Sequence, residues 1–264
     1  MKLSIVTLTY NQLEEATRPY IESLYQYTNE ADFKLILVDN GSTDGTVEYL
    51  KTLPARYGNI KLILNPQNTG YPKGNNQGLE LVSPDTQYIG LFNNDILFTP
   101  NWLGLMIEAF ERDPKIGLAS ARINKNNKIN KDNYLSVYRK HLATYKEPFS
   151  PHITPFFCCV MMRRETFEKV GFLDEGFSPA FFEDDDYSFR TLYAGFHNGY
   201  VNTTFILHNH CTTTGKMDDK KGLIERNRLY FYDKHYLGRY LYEQDLNRRK
   251  PLRRLKSIFT KLFN

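Results

Sequence analysis

The 264-residue chain is poor in cysteine, in long apolar runs and in net charge, and each shortage closes off a class of protein. Its three cysteines, Cys158, Cys159 and Cys211, are odd in number and two are adjacent. That is not a disulfide framework, and it points to a reducing compartment. No apolar stretch reaches the ~18–20 residues that a membrane-spanning helix needs. The opening run MKLSIVTLTY turns polar at Asn11, which suits a strand better than a signal peptide. A cytoplasmic location is therefore expected. The net charge is only +4, and eight Lys/Arg against two Asp/Glu from Arg239 to Asn264 leave the remainder at −2. A nucleic-acid binder would spread basic residues over its folded body, so no nucleic-acid partner is expected. The P-loop order G-x-x-x-x-G-K-[ST] is missing, and so are internal repeats.

What is present is an alternation of short apolar runs and helical patterns. Leu3–Thr9, Phe33–Val38, Ile60–Leu64 and Tyr88–Phe92 are β-rich runs bounded by Asn, Gly, Asp or Pro, as expected of strands buried on both faces. Helical spacing lies between them, at Leu13–Thr28, Gly45–Leu53 and Gly74–Leu81, and again at Asn101–Arg112. This predicts an α/β fold with a mostly parallel sheet and right-handed crossovers. Asn124–Asp132 is polar and predicts an exposed loop dividing residues 1–123 from an acceptor-side half at 133–222. Strands are expected at Thr154–Met162 and Tyr200–Leu207, and short helices at Arg164–Val170 and Tyr187–Ala194. Residues 223–264 are expected to form a basic amphipathic helical tail. In it Leu252, Leu255, Ile258, Phe259 and Leu262 recur at three- and four-residue steps among Arg253, Arg254, Lys256 and Lys261. Such a basic amphipathic helix suits an anionic membrane surface; packing on the body or on a second copy in a homodimer is the alternative.

Five polar segments sit where apolar runs end. Asp39-Asn40-Gly41-Ser42-Thr43-Asp44-Gly45 follows the second run, and ligands of open α/β sheets bind beyond the carboxyl ends of strands. There a carboxylate can accept hydrogen bonds from a base or ribose, although a plain capped turn has the same composition. Asn68-Thr69-Gly70-Tyr71-Pro72-Lys73-Gly74-Asn75-Asn76-Gln77-Gly78 offers glycines beside a helix start, and Lys73 supplies charge for an anion. Asn93-Asn94-Asp95 can share a hard cation with a diphosphate, because one carboxylate is too few for a cage of protein ligands alone. Glu183-Asp184-Asp185-Asp186 exceeds what a helix start requires; crowded carboxylates have raised pKa values, which suits a general base. His208 and His210 stand at alternate positions of a strand end, so at most one faces a given site.

Taken in order, these segments resemble the family 2 glycosyltransferases of GT-A fold, over about residues 1–215. Ile5–Asn11 is similar to the first strand and nucleotide loop, and Asp39–Gly45 to the second signature. Asn68-x-Gly70 with Gly74-Asn75-Asn76-x-Gly78 resembles the third, and Asn93-Asn94-Asp95 stands in place of the D-x-D metal motif. Arg164-x-x-Phe167-x-x-Val170-Gly171-x-x-Asp174-Glu175 resembles the acceptor-side entry. Glu183-Asp184-x-Asp186, with Arg190, fits E-D-x-D; His208 before Thr212–Gly215 resembles the late metal-binding histidine. The likeness is greatest to a rhamnosyltransferase-like branch. It implies a domain at 1–222 using a UDP-, dTDP- or GDP-linked sugar donor with Mg²⁺ or Mn²⁺ and a glycan or glycolipid acceptor.

The resemblance also assigns roles. Thr9, Tyr10 and Asp39 hold the base, Asn94 faces the ribose and Lys73 reaches the diphosphate. Asn11, Asn40, Gly70, Asn76 and Asn93 complete the donor set. Asp95 and His208 hold the metal. Asp184 is the general base, with Glu183 and Asp186 orienting the site. Direct displacement by one base implies inversion, through an oxocarbenium-like transition state. The expected role is bacterial surface polysaccharide or glycolipid assembly, from a cytoplasmic position at the inner face of the membrane. Two alternatives are a Mg²⁺-dependent nucleotidyltransferase, which would want Gly and a basic residue where Thr9-Tyr10-Asn11-Gln12 stands, and a non-catalytic sugar-binding protein, which would have no use for the acidic run.

Overall fold

The structure is a computed structural model, and it describes residues 2–124, 129–144, 147–209 and 219–235. The strands in chain order are β1 (Leu3–Thr9), β2 (Phe33–Asp39), β3 (Ile60–Leu64), β4 (Tyr88–Asn93), β5 (Ile96–Leu97), β6 (Ile116–Ile123), β7 (Phe149–Pro151), β8 (Cys159–Arg163) and β9 (His197–His208). The helices are α1 (Arg18–Tyr27), α2 (Thr46–Arg56), α3 (Tyr71–Glu80), α4 (Trp102–Arg112), α5 (Tyr134–Thr144), α6 (Arg164–Val170), α7 (Glu183–Tyr193) and α8 (Lys220–Lys234). Among the described residues no helix is long and apolar enough to cross a membrane.

The sheet runs β3-β2-β1-β4-β8-β6-β9-β5, with β7 on β9. Strands β3, β2, β1 and β4 are mutually parallel. Here the alternation in the sequence predicts the fold correctly: β1, β2 and β4 are largely buried on both faces, whereas β3, at the sheet edge, is only partly buried. Beyond β4 the pattern changes: β8 inserts antiparallel between β4 and β6, and β9 then runs parallel to β6. The chain turns from β2 to β4 on opposite sides of β1, so the carboxyl ends of β1 and β4 flank the topological switch point where α/β sheets place ligands.

Two apolar layers hold the sheet. One unites Ile5, Leu35 and Leu37 with Tyr20, Trp102 and Phe110 from α1 and α4; the other unites Val6, Val38 and Leu91 with Leu79 and Tyr187 from α3 and α7. Helix α3 comes close enough to β1 that a Cβ on Gly78 would lie 2.3 Å from Val6 Cγ1. The glycines of this segment thus serve helix–strand packing, a use that a phosphate-loop reading does not require.

Several expected boundaries shift. The strand expected at Thr154–Met162 is confined to β8, because the chain before it leaves the sheet and leaves Phe156 57% exposed. The helix expected from Tyr187 begins at Glu183, so the acidic run is its first turn. Asn124, expected in an exposed loop, is buried, and its Oδ1 accepts a hydrogen bond from His208 N at 2.7 Å. The helix expected at Leu13–Thr28 opens with a π-helical turn at Leu13–Thr17 before α1, and α5, β6 and β7 carry no pattern that the sequence reading picked out. Residue 222, where the expected domain ends, lies in the first turn of α8, and α8 buries Asn227, Phe231 and Tyr232. The amphipathic segment at 251–264, His210 and Thr212–Gly215 lie outside the described residues.

Candidate active site

The site is built at the carboxyl ends of β1, β2 and β4. Parallel register sets Thr9 beside Asp39, and Leu8 beside Asn93. Asp39 is fully buried, and its carboxylate is saturated. Oδ2 accepts from Thr9 Oγ1 at 2.9 Å and Ser42 Oγ at 2.5 Å; Oδ1 accepts from the Gly41 and Ser42 amides at 3.1 and 2.9 Å. Asn11 braces the same loop: its amide donates to Ser42 Oγ, and its Oδ1 accepts from Thr43 N, both at 2.7 Å. Asn40 is equally occupied, donating to Asn68 Oδ1 and Gly70 O and accepting from Asn65 Nδ2 and Thr69 Oγ1. These groups shape a rigid rim at which half-buried Tyr10 is the predicted base contact.

Other residues expected at the donor are placed variously. Asn94 donates to Thr17 Oγ1 at 2.9 Å. The Asn93 amide donates to Cys158 O, while its side chain lines the cleft described below. Asn76 is turned away from β1: it donates to Leu173 O and Glu175 Oε1 and accepts from Leu173 N at 3.0 Å, joining α3 to the acceptor-side half. Gly70, with φ +87°, lets the chain approach Pro179, whose backbone would lie 3.0 Å from an added Cβ. Lys73 is exposed on α3.

Asp95 follows β4 in a tight turn, and β5 beyond it pairs with the end of β9, setting Ile96 opposite His208. This pairing brings Asp95 Oδ1 within 3.2 Å of His208 Nε2. Asp95 Oδ1 is buried and has no hydrogen-bond partner among the described residues. A buried carboxylate oxygen beside an imidazole nitrogen suits a divalent cation that completes its shell elsewhere. Among the described residues no cluster of three or more His, Cys, Asp or Glu could hold a metal alone. A cation here would therefore draw its remaining ligands from a substrate or water.

Across from this pair opens a cleft of about 360 Å³, lined by Glu183, Asp184, His208 and Asn93 and walled by Tyr71, Ile123, Phe156, Phe157, Cys158, Ala180 and Phe181. The four acids do not crowd into one place. Successive residues of a helix are ~100° apart, so the carboxylates fan out. Glu183 and Asp184 face the cleft, and Asp185 interacts with Thr154. Asp186 is fully buried beneath the helix, where it binds Arg190 Nε (2.8 Å), Lys234 Nζ (2.7 Å) and His235 Nε2 (2.9 Å). Of the predicted trio, then, Asp186 lies away from the cleft and ties α7 to α8.

The electrostatics divide the same way. Burial raises the Glu183 carboxyl well above its ordinary range, and the Asp184 charge adds to this. Burial raises Asp184 as well. Asp185 is pushed up to about 8, first by burial and then by Asp184. Burial also acts on Asp186, but its bonds to His235, Arg190 and Lys234 outweigh it and hold that carboxyl below the ordinary value. Glu183 Oε2 is buried without a hydrogen-bond partner among the described residues. The sequence reading missed the aromatic wall; only the aromatic run before the acids hinted at it.

The chain is 25% identical to the N-acetylglucosaminyl-diphospho-decaprenol L-rhamnosyltransferase of Mycobacterium tuberculosis, over 81% of this chain and 78% of that one. It is 23% identical to protein y4gI of Sinorhizobium fredii over 82% of its length, but spans only 25% of that larger protein. A crystal structure of GalNAc-T7 with UDP, GalNAc and Mn²⁺ superposes with a TM-score of 0.66 at 15% identity, over 91% of this chain and 51% of that one, which establishes the GT-A-like fold. Residues 4–171 match Glycosyl transferase family 2. That match covers more than half of the chain and includes the strand ends that build the rim and the metal-side turn, so the chain belongs to glycosyl transferase family 2.

Proposed function

We propose that this enzyme transfers a sugar, with inversion, from a nucleotide-diphosphate donor to a hydroxyl of a lipid-linked glycan acceptor in bacterial cell-surface assembly. The observation that carries the reading is one cleft lined by His208, which pairs with Asp95 behind it, and by the carboxylates of Glu183 and Asp184. The name of the M. tuberculosis relative, which describes a sugar–diphospho–decaprenol acceptor, supports the acceptor class.

In this reading the rim of Thr9, Tyr10, Asn11, Asp39 and Asn40 receives the base and ribose, with Asn94 facing the ribose. Asp95 and His208 would hold Mg²⁺ or Mn²⁺. Such an ion, when bound, supplies Lewis-acid neutralisation of the leaving diphosphate. Asp184 accepts the acceptor hydroxyl's proton as that oxygen bonds to the anomeric carbon. The bond from this carbon to the phosphate oxygen breaks, and the nucleoside diphosphate leaves. Glu183 orients the pair, and the apolar wall excludes water that would hydrolyse the donor. The domain of this proposal extends through residue 222, and the basic segment 251–264 rests on the inner membrane face.

The test is direct. The chain is incubated with Mn²⁺, a panel of UDP-, dTDP- and GDP-sugars and a sugar–diphospho–polyprenol acceptor, and the product is read by mass spectrometry and NMR. A glycosylated lipid with anomeric configuration opposite to the donor is expected; a retained configuration, or no transfer with any donor, overturns the proposal. Deletion of 251–264 should abolish sedimentation with anionic vesicles, and undiminished sedimentation would refute the membrane part.

A further inference from the structure

The turn that delivers the acidic pair is built in an unfavourable conformation. Phe181 has φ +80° and Phe182 φ +71°, two consecutive bulky residues in the left-handed region. Side chains with a Cβ resist that region, and such outliers persist only where their surroundings over-determine them. Helix α7 starts at the next residue without a side-chain cap. Ordinary turn chemistry would place glycine here, and this chain does not.

The compensation comes from α8. Asn227 is 0% exposed, and its Nδ2 donates to Phe177 O at 2.7 Å, Ala180 O at 2.9 Å and Phe181 O at 3.0 Å. Its Oδ1 in turn accepts from Arg226 Nε at 3.0 Å and Nη2 at 2.8 Å, and Arg226 also donates to Ser178 O. From the nucleotide side, Tyr71 N donates to Pro179 O at 2.7 Å. One buried amide thus gathers three carbonyls of the turn whose last residues, Ala180 and Phe181, line the cleft directly before Glu183 and Asp184. Lys234 and His235 of the same segment grip Asp186 one helical turn further on.

We infer that Asn227 is a positioning residue of the transfer reaction: it holds the strained Phe177–Phe182 turn, and through it aims Glu183 and Asp184 at the acceptor. The inference rests on Asp184 acting as base. It also makes α8 part of the catalytic unit, although α8 lies beyond the family match at 4–171.

The experiment compares Asn227→Asp with Asp184→Asn in the full chain. The aspartate has the same shape but cannot donate to the three carbonyls. Acceptor-dependent kcat should fall on the order of 10²-fold, the usual effect of a small misplacement of reacting groups. The affinity and stoichiometry of nucleoside diphosphate binding with Mn²⁺ should stay within about threefold, because the rim of β1 and β2 is untouched. Asn227→Gln, which keeps the donors, should recover part of kcat. Arg226→Met, which trims only the outer bonds, should lower kcat by a smaller factor at unchanged binding; it serves if Asn227→Asp does not fold. A kcat within threefold of the parent in Asn227→Asp, or a loss that binding stoichiometry follows in proportion, overturns the inference. If Asp184→Asn retains turnover, the base assignment itself fails, which is a separate result.

Discussion

Asp39 and Glu183 are both buried carboxylates, yet the fold treats them oppositely. Asp39 accepts four hydrogen bonds from its own loop. Glu183 Oε2 accepts none among the described residues, and neither does Asp95 Oδ1. The rim at the ends of β1 and β2 commits its polar groups to shape, whereas Glu183 in the cleft keeps an oxygen without a hydrogen-bond partner among the described residues. An unpaired buried oxygen costs stability and is tolerated where a ligand completes it. Substitutions should therefore act on stability and donor affinity at the rim, and on turnover in the cleft.

The largest expected effect is at Asp184. Asp184→Asn should lower kcat by about 10²–10⁴-fold, the range of a general base, with melting temperature unchanged or raised because a buried charge is removed. A lowered melting temperature at near-parental kcat would reverse the contrast with Asp39.

Asp186 belongs with the scaffold despite its place in the acidic run. Asp186→Asn leaves Arg190, Lys234 and His235 facing a neutral amide, and breaking such a buried network costs about 3 kcal/mol or more. Chemical denaturation should record that loss. If stability holds and only turnover falls, Asp186 acts in the cleft instead. Asp95→Ala should weaken Mn²⁺-dependent nucleotide binding and lower kcat/KM by about 10²-fold, a few kcal/mol of transition-state stabilisation. Full activity in excess EDTA would remove the metal role.

A pH titration sharpens the comparison further. Asp185 is pushed up to about 8 in the folded chain, so the folded state binds its proton more tightly than the unfolded state. Its contribution to stability is present below the ordinary carboxylate value and is lost as pH rises through about 8. Asp186, held low, contributes in the opposite sense: its stabilisation is present above the ordinary value and fades as pH falls through the lowered one. Between about pH 5 and 8 the ligand-free enzyme should melt at lower temperature as pH rises, and Asp185→Asn should flatten that slope. The smallest effect is expected at exposed Lys73, where Lys73→Ala should change donor KM by less than about threefold. A tenfold change would return Lys73 to the diphosphate.

The first four parallel strands, the helices between them and the order of the polar segments could all be read from periodicity and from the resemblance. Buried parallel strands are continuous apolar runs, and polar residues at their ends stand out. The second half of the sheet was less legible. The apolar run of β6 is interrupted by Gly117, Ser120 and Arg122, β7 spans only three residues, and β8 inserts antiparallel by long-range pairing that no local pattern encodes. The acidic run was visible as composition, but its division into two cleft residues, one tied to Thr154 and one bound to α8 follows from helical geometry and from what packs beneath it.

From the sequence alone came the class of chemistry: a sugar-transferring α/β enzyme with Asp95, His208 and the acidic trio Glu183, Asp184 and Asp186 as its candidates. Tertiary structure decided which polar groups are free to act. Hydrogen-bond saturation is a property of neighbours far apart in the chain, such as Asn227 on Phe181 or Asn76 on Leu173. A residue's type states what it can donate or accept; only the packed fold determines whether that capacity is already in use.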